Sequence, residues 1–493
     1  MPSTRVSNLV CVKCKLRKRK CDKERPRCGY CTRKNLNCRY PSVDTKYPAV
    51  RPFLAVPSPI IRSSMLLSDT LSDVLQYEPT NLNSTLYLQI TRIIRLAGQS
   101  ADDVSMRYFR GIHTFIPVIS PCRFHQEVLH SSTLPSATFS LLLLSMCLIT
   151  YHPGLAKGSS AIDHTTLYLT TKSFYTQIQS LFPPSLHLIQ AGIIIASYEY
   201  ATNKINDAFA SIAVCARMGY AARLHLTNLV EGLDPMEYLQ AEEKFSTWWG
   251  IVTTERIIFC EVNTVHQPLI SRCPDNELRL PKTMSQKWNQ APSPEALTPE
   301  ANSIGPPFVE SDGYARVTQA AWLLDQVFES LDEQDLDTRL VRLDRLDHAL
   351  QTSLALTMEQ SQGRWGLFCT ANAIMIRALY IIHRHVIEIT AEMTPSPEKS
   401  PDQWRDRSYI ALETITQMTQ DIAITQNYMP LEEMDALPPS RAFVLRSALR
   451  YLDDLGVKCN RWDAARDQLK ESLRMFDERW DLSSERNMDN LPE

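Results

Sequence analysis

The chain has little glycine, 14 residues in 493, with a single Asp-Gly step and no Asn-Gly step. These dipeptides supply the turn residues of tight β-hairpins, so a fold built from antiparallel hairpins is poorly supported. Apolar residues recur instead at helical steps, as at Leu167, Phe174, Ile178 and Leu181.

Residues 185–201, 207–226 and 235–262 behave likewise, with Asp163 placed to cap the helix that contains Leu167 and Pro235 suited to a first helical turn. Trp462 and Trp480 are expected to anchor the last helical segment. We therefore predict that the larger part of the chain is all-helical.

Long apolar runs and catalytic signatures are also missing. The longest apolar stretch, residues 139–149, is interrupted by two serines and is too short to cross a bilayer, so we predict no membrane segment. There is no G-x-G-x-x-G, P-loop or G-x-S-x-G motif. The pairs His125/His130 and His383/His385 lack the step of three or four that puts two ligands on one helical face. We predict that the protein is not an enzyme.

Cysteine is concentrated near one end, where six of the 13 cysteines have the spacing C-x2-C-x6-C-x6-C-x2-C-x6-C. They are Cys11, Cys14, Cys21, Cys28, Cys31 and Cys38. A short step followed by a longer return is typical of zinc ligands. Two tetrahedral zinc ions need eight ligand positions, which six thiolates fill if two of them bridge both metals. We predict two zinc ions, which replace the core that so short a segment cannot build.

Two other interpretations of the six cysteines stay open. A disulfide framework requires an oxidising compartment, but we recognise no signal peptide. A single zinc site would leave two cysteines spare and the internal repeat unused. The other seven cysteines have no pairing steps and are expected to be small buried apolar residues in a reducing compartment. They are Cys122, Cys147, Cys215, Cys260, Cys273, Cys369 and Cys459.

The run between Cys14 and Cys21 is basic at all but one position. Its basic residues are Lys15, Arg17, Lys18, Arg19 and Lys20. Because metal ligands hold both ends of the run, its side chains are fixed, which favours nucleic-acid contact over a solvated charged face. Residues 1–40 carry 13 Lys and Arg against 2 Asp and Glu, whereas the remainder carries 39 against 53. The sequence therefore predicts that a polyanion binds the N-terminal part only.

Residues 10–40 resemble the fungal zinc binuclear cluster, the DNA-binding domain of a large class of fungal transcription factors. The likeness rests on the six cysteines, the basic run, Pro26 in the middle loop and the closing Cys38-Arg39-Tyr40. The resemblance implies that Cys11 and Cys28 bridge the two zinc ions. It also implies a short helix after the second cysteine whose C-terminal end enters the major groove of double-stranded DNA. There it would read a CGG-like triplet, with Arg17 and Lys18 nearest the bases.

A second resemblance covers part of the helical region. Residues 108–124 resemble the opening of the fungal-specific transcription factor domain, or middle homology region. The chain also resembles the central signature of that domain, at Trp248-Trp249, Glu255-Arg256, Pro268, Asp275 and Leu280-Pro281. The chain departs from the family at Glu255, where Asp is usual, and at His266-Gln267, where Gly-Arg is usual. Without the resemblance, Trp248-Trp249 indicates a buried helical stripe.

These observations predict a small zinc-stabilised binuclear cluster domain of two short helices and loops, followed by a large all-α domain. We assign residues 8–40 to the cluster domain and 41–60 to a proline-rich linker. The helical regulatory domain takes 61–480, with a loop-like insertion at 281–312, and 481–493 form an acidic tail. The five linker prolines exclude an apolar heptad. A homodimer would therefore form through the helical domain.

The leading interpretation is a nuclear, sequence-specific regulator of RNA polymerase II transcription that binds DNA and co-regulators. The resemblance suggests control of a metabolic or biosynthetic gene cluster. The acidic-apolar residues 431–435 and the acidic tail are candidates for co-activator contact. One alternative is a co-regulator whose DNA binding is only non-specific, and another is an enzyme that carries a zinc-cluster head.

Overall fold

The structure is a computed structural model of the chain. The residues that it describes are 10–39, 63–64, 79–129, 135–152, 162–227, 234–262, 267–274, 280–281, 313–360, 368–391, 401–429, 433–454 and 460–480. The chain divides into two compact units, residues 1–58 and 59–493. The predicted linker at 41–60, residues 282–312 of the predicted insertion, Cys459 and the acidic tail lie outside the described residues.

The first unit consists of two short helices, α1 (Val12–Leu16) and α2 (Gly29–Arg33), joined by loops. Its core is four cysteine side chains, Cys11, Cys14, Cys28 and Cys31, each 0% exposed. No buried aliphatic side chain occurs among its described residues, where Leu36 is only partly buried. A unit without an apolar core needs another source of folding free energy, as the sequence predicted.

The second unit is helical, and no β-strand occurs among the residues described for it. Its helices are α3 (Pro79–Leu96), α4 (Ala101–Arg110), α5 (Pro121–Leu129), α6 (Ala137–Thr150), α7 (His164–Leu181), α8 (Leu186–Ala201), α9 (Ile205–Ala221), α10 (Pro235–Phe259), α11 (Gly313–Leu331), α12 (Leu336–Gln360), α13 (Cys369–Ala391), α14 (Pro401–Gln426), α15 (Arg441–Asp454) and α16 (Asn460–Arg479). The predicted all-α fold is therefore confirmed. Within the described part of the chain, no helix is both long enough and apolar enough to cross a membrane.

Two central helices organise the second unit. Helix α8 packs against α6, α7, α9 and α10, and α13 packs against α11, α12, α14 and α15. The contact between α10 and α11 connects the two groups. Every residue of α6 is buried, so its apolar run forms part of the protein core. The buried side chains form one continuous hydrophobic cluster.

Polar residues cap several of these helices, and Asp163 is the cap that the sequence predicted. Asp163 caps α7, Ser185 caps α8 and Asp234 caps α10, each by accepting a hydrogen bond from a backbone N–H of the first turn. Pro235 occupies the first turn of α10, where a missing N–H costs nothing. Local sequence therefore sets these N-termini.

Two details of the helical prediction were wrong. Leu181 is 62% exposed and therefore does not share the buried face of Leu167, Phe174 and Ile178. The reason is that it lies in the last turn of α7, next to the segment in which the chain leaves the helix. The helix predicted over 207–226 ends at Ala221. Arg223 then adopts a left-handed conformation with φ 56°, which breaks the helix before a 3₁₀ turn.

Burial decides the other predictions for single residues. Trp248 and Trp249 are each 1% exposed, which confirms the buried stripe. Trp462 in α16 and Trp480 just after it are 7% and 4% exposed, so both anchor this helix in the core. Of the cysteines outside the zinc site, Cys147 and Cys215 are buried and Cys260, Cys273 and Cys369 are half-buried. Cys122 is exposed, so the prediction of burial was wrong there: it lies in the short surface helix α5, near the N-terminus of that helix.

Candidate metal centre and nucleic-acid interface

The two C-x2-C pairs are shaped by helix capping. The Sγ atom of Cys11 accepts a hydrogen bond from the backbone N–H of Cys14 at 3.4 Å, and Cys28 does the same for Cys31 at 3.4 Å. The first cysteine of each pair therefore caps its helix, and one helical turn brings the second thiol beside the first. The helix predicted to follow the second cysteine begins before it, at Val12, because Cys11 is the cap.

The six Sγ atoms gather into two overlapping groups of four. One group is Cys11, Cys14, Cys21 and Cys28, the other is Cys11, Cys28, Cys31 and Cys38, and within each group the sulfur atoms all lie within 4.8 Å of one another. Cys11 and Cys28 belong to both groups. That overlap is the arrangement that two bridging thiolates require if six ligands are to serve two metals.

The sulfur separations fit tetrahedral zinc. The Sγ atom of Cys11 lies 3.7 Å from those of Cys28 and Cys31, and the Sγ atoms of Cys14 and Cys28 are 3.6 Å apart. Zn–S bonds of about 2.3 Å at tetrahedral angles separate two ligand sulfurs by about 3.8 Å. The donor set and its spacing therefore suit two zinc ions without rearrangement.

Burial alone opposes the thiolate form of these cysteines. Desolvation raises the pKa of Cys14 well above its usual range and raises the pKa of Cys31 to about 12. Zinc ions would supply the positive charge that keeps the thiols deprotonated. Such structural sites contribute on the order of 10–16 kcal/mol of apparent binding free energy at neutral pH.

Residues that the sequence did not single out hold the loops around the cysteines. Asp22 Oδ2 accepts a hydrogen bond from the backbone N–H of Gly29 at 2.7 Å. A Cβ atom at position 29 would come within 2.5 Å of that oxygen, so a side chain there would displace the Asp22 carboxylate. Arg27 donates to the carbonyl of Leu36 at 2.6 Å. The sequence signal for Asp22 and Gly29 is only that they directly follow Cys21 and Cys28.

The two halves of the cluster unit repeat the same backbone with an offset of 17 residues. In the first half Arg19 N–H donates to the Cys14 carbonyl at 3.0 Å, and in the second Leu36 N–H donates to the Cys31 carbonyl at 2.8 Å. The residues directly before Arg19 and Leu36 also correspond: Lys18 has φ 47° and Asn35 has φ 46°, so both are left-handed. The repeat seen in the cysteine spacing is therefore a repeat of backbone conformation.

The predicted basic residues form an exposed surface on the first half only. Lys15 lies in α1, Arg17 is its C-cap, and Lys18, Arg19 and Lys20 follow; all five are exposed. Within the described part of the chain none of them forms an ion pair. At the equivalent positions the second half carries Thr32, Lys34, Asn35, Leu36 and Asn37. The run of residues 15–20 thus presents five cations, whereas the equivalent run 32–37 has two, Arg33 and Lys34.

In the helical unit, two residues of the predicted signature in α10 bind the segment at residues 270–271, and one of them also binds helix α11. Glu255 accepts hydrogen bonds from the backbone N–H groups of Ile270 and Ser271 at 2.8 and 2.9 Å. Arg256 donates to Asp325 of α11 at 2.6 Å and to the Ser271 carbonyl at 2.8 Å. Glu255 and Arg256 are 0% and 2% exposed. The carboxylate at position 255 is therefore structural, and Glu fills that role here.

A Ser-His-Asp trio is also buried in this unit. His383 Nδ1 lies 3.2 Å from Ser408 Oγ, and His383 Nε2 lies 3.3 Å from Asp347 Oδ1. Ser408, His383 and Asp347 are 2%, 5% and 8% exposed, so the serine is closed to a substrate. The trio links α12, α13 and α14 as a structural contact.

Comparisons with known proteins agree with this geometry. Residues 9–47 match the Fungal Zn(2)-Cys(6) binuclear cluster domain, and residues 106–352, half of the chain, match the Fungal specific transcription factor domain. Transcription factor BOA15 of Botryotinia fuckeliana (strain B05.10) is 27% identical over 124 residues, 25% of this chain and 67% of that protein. Zinc cluster transcription factor CZF1 of Candida albicans (strain SC5314 / ATCC MYA-2876) is 44% identical over 46 residues, but this covers 12% of its length and 9% of this chain. Zinc finger protein 1 of Candida albicans (strain WO-1) matches to the same extent.

A centre of six cysteines, four of them buried, beside an exposed basic turn and in a chain with a large helical unit, defines a zinc-dependent DNA-binding regulator. The chain belongs to the fungal-specific transcription factor family and carries the binuclear cluster domain, which binds two zinc ions. Both resemblances seen in the sequence are thereby confirmed, and the activity that they imply is DNA-binding regulation of transcription.

Proposed function

We propose that this protein is a nuclear regulator of RNA polymerase II transcription that reads a CGG-like triplet in the major groove through the first half of its cluster domain. Lys18 contacts base edges with Arg17 beside it, and Lys15, Arg19 and Lys20 hold phosphates. The domain limits proposed for these roles are 8–40 for the cluster and 61–480 for the regulatory domain.

The proposal rests on a difference between the two halves of the cluster domain, which share one backbone conformation. Both halves turn through a left-handed residue after their helix, but only the first half places a run of cations there. Because Cys14 and Cys21 hold the two ends of that run, its backbone loses little further conformational freedom on binding. Phosphate neutralisation then supplies affinity for any duplex.

Position favours Lys18 and Arg17 as the residues that read sequence. They lie at the C-terminal end of α1, the end that the family resemblance assigns to the groove. Lysine and arginine donate well to guanine O6 and N7, and such a contact is worth about 1–3 kcal/mol of discrimination. Contacts to phosphate carry no sequence information.

The helical domain is proposed to bind co-regulators and to pair two chains, and the whole protein to control a metabolic or biosynthetic gene cluster. Within the candidate co-activator segment 431–435, Glu433 is exposed, residues 431–432 lie outside the described residues, and the last two residues are not available for contact. Met434 and Asp435 are 5% and 7% exposed, and Asp435 pairs with Arg107 and Arg479 at 3.0 and 2.6 Å. Co-regulator contact is therefore proposed for other surfaces of this domain.

The test is selection of one site from random duplexes by the zinc-loaded full chain, followed by titration of variants. Lys18→Asn places in the first half the residue that occupies the same left-handed position in the second, so the backbone should be preserved. We expect it to weaken binding to the selected duplex about ten-fold or more, which is about 1.4 kcal/mol, with little change on scrambled DNA. Lys20→Ala should weaken both duplexes alike and lower the salt slope by about one unit.

The matched control is Lys34→Ala, which removes one charge from the second half at the position equivalent to Arg17. It should have a smaller effect than Lys20→Ala on both duplexes. Equal loss on both duplexes for Lys18→Asn would remove the base-reading role from Lys18. Failure of the full chain to select any sequence would favour the alternative, a co-regulator that binds DNA non-specifically.

A further inference from the structure

The basic run between Cys14 and Cys21 contains one apolar side chain, Leu16, to which the proposed function gives no role. Leu16 is 72% exposed, and Val12, one helical turn earlier in α1, is 42% exposed. Single apolar residues on a protein surface need no explanation. These two lie four positions apart, however, and therefore form an apolar stripe along one face of α1.

The metal centre decides which way this stripe points. Cys14 is 0% exposed and lies two positions from Val12 and two positions from Leu16. Two positions along an α-helix correspond to a rotation of about 200°, so residues two before and two after Cys14 lie on the opposite face. Helix α1 therefore directs the stripe away from the buried thiol and toward the surroundings of the domain.

Exposed cations border the stripe. Lys13 and Lys15 lie on its two sides in α1. Arg17 and Lys18 directly follow Leu16 and are exposed as well. A second copy of this positively charged surface would be repelled from it. Duplex DNA suits it, because phosphates flank the major groove and the groove itself displays one apolar group, the C5-methyl group of thymine.

The second half of the cluster domain has no such stripe. At the offset of 17 residues, Gly29 occupies the position of Val12 and Arg33 the position of Leu16. The apolar stripe and the full run of cations therefore occur together, on the half that is proposed to enter the groove. An exposed leucine among cations matches a surface that is both anionic and apolar.

We propose that Leu16 is a further specificity-determining residue, which packs against the C5-methyl group of a thymine in the base pair next to the triplet. The inference rests on the proposed function, in which Arg17 and Lys18 bring the end of α1 to the triplet. Leucine has no polar side-chain atom, so it adds nothing to phosphate binding. Apolar contact distinguishes thymine from cytosine, which carries no methyl group at C5.

The test compares the selected duplex with a copy in which uracil replaces the thymine next to the triplet, a change that removes only the C5-methyl group. The zinc-loaded wild-type chain should bind the uracil duplex about three- to five-fold more weakly, which is the effect of about one buried methyl group. Leu16→Ala should weaken binding to the thymine duplex by a similar factor and should no longer distinguish the two duplexes. Its salt slope should equal that of the wild type, because no charge changes.

The matched control is Val12→Ala, which shortens the other member of the stripe at the end of α1 that lies farther from the triplet. It should distinguish thymine from uracil as the wild type does. Both variants should retain two zinc ions per chain by elemental analysis, because neither side chain is buried.

A selected site with no thymine next to its triplet would overturn the proposal, as would equal sensitivity to uracil in the wild type and in Leu16→Ala. Equal weakening of Leu16→Ala on both duplexes, with a changed number of chains per duplex, would assign Leu16 to a contact between proteins instead. Failure to select any site would overturn the proposed function together with this inference. A selected site that is insensitive to uracil would overturn this inference alone.

Discussion

Arg377 and Arg441 are both buried in the helical domain, at 0% and 6% exposure, but their guanidinium groups have different surroundings. Arg377 donates to Glu261 at 2.8 Å and to the Ile257 carbonyl at 2.6 Å. It also stacks 3.7 Å from the centre of the Phe443 ring. Arg441 donates to Ser472, but its Nε and Nη1 atoms have no hydrogen-bond partner among the residues that the structure describes, and burial lowers its pKa to about 10.

We expect these arginines to differ in their contribution to stability. Arg377→Met should lower the free energy of unfolding by about 1.5–3 kcal/mol, because it removes charge-assisted hydrogen bonds to the half-buried Glu261 carboxylate, which keeps Arg446 as a partner. Arg441→Met should cost less than about 1 kcal/mol or stabilise the fold, because it removes a buried charge that lacks a carboxylate. Urea unfolding followed by circular dichroism measures both. Equal losses would contradict the assignment of Arg441 as an uncompensated charge.

His164 gives the helical domain a dependence on pH. Its ring is 6% exposed and lies 5.2 Å from Tyr198 and 5.4 Å from Tyr151 between ring centres. Burial, followed by the nearby charges of Arg479 and Lys204, lowers its pKa from 6.5 to about 3. Between these values the unfolded chain binds one more proton than the folded chain, so stability falls as pH falls.

The variant His164→Phe keeps an aromatic ring in this contact and removes the proton binding. Below pH 6.5, the free energy of unfolding should then decrease less steeply, by about 1.4 kcal/mol per pH unit. Urea midpoints measured between pH 6.5 and 4 test this. Parallel profiles for the variant and the wild type would show that His164 does not contribute.

At the scale of elements, α1 and α2 are held by their caps and by the metals that the capping cysteines bind. Five-residue helices are too short to be stable by themselves in water. Cys11 and Cys28 combine two roles, as N-caps and as members of both sulfur groups, whereas Cys38 belongs to one group and caps neither helix.

Loss of a shared cysteine should therefore affect both metals. We predict that Cys28→Ala abolishes binding of both zinc ions, since it removes a ligand from each site and the cap of α2. Cys38→Ala should damage one site first, so protein purified at limiting zinc should retain about one ion per chain. Elemental analysis of the purified variants distinguishes the two results. Identical zinc content in the two variants would argue against bridging by Cys28.

At the scale of the whole molecule, the two units have different sources of stability. The first is built on thiolates and metal, and the second on a continuous apolar cluster. Their charges differ as well, with the cations concentrated in residues 1–40 and an acidic excess in the remainder. Each unit should therefore respond to a different perturbation.

Removal of zinc should abolish DNA binding and leave the helical domain folded. A chelator strong enough to compete with structural zinc should unfold the cluster, because its folding free energy comes from metal binding. The far-ultraviolet helical signal and the main thermal transition should change little. Loss of most helical signal on chelation would contradict separate stabilisation of the two units, and readdition of zinc should restore DNA binding.

Much of this organisation could be predicted from local pattern. Cysteine spacing indicated the zinc cluster, periodicity indicated the helices, and Asp163, Ser185 and Pro235 marked their starts, because capping and amphipathicity act within a few residues. Leu181 and the end of α9 were predicted wrongly because the last turn of a helix depends on where the chain goes next. The exposure of Cys122 likewise depends on which neighbours cover it.

The sequence by itself determined the ligand set, the basic run and the helical class, since these rest on residue type and on spacing along one stretch of chain. Only the tertiary structure decided which cysteines stand in both sulfur groups and which arginine has a carboxylate partner. It also brought Arg107 and Asp435 into one ion pair, although 328 positions separate them in the chain. The physical reason is that these properties depend on distances between atoms that are remote in sequence, which packing sets and local pattern does not encode.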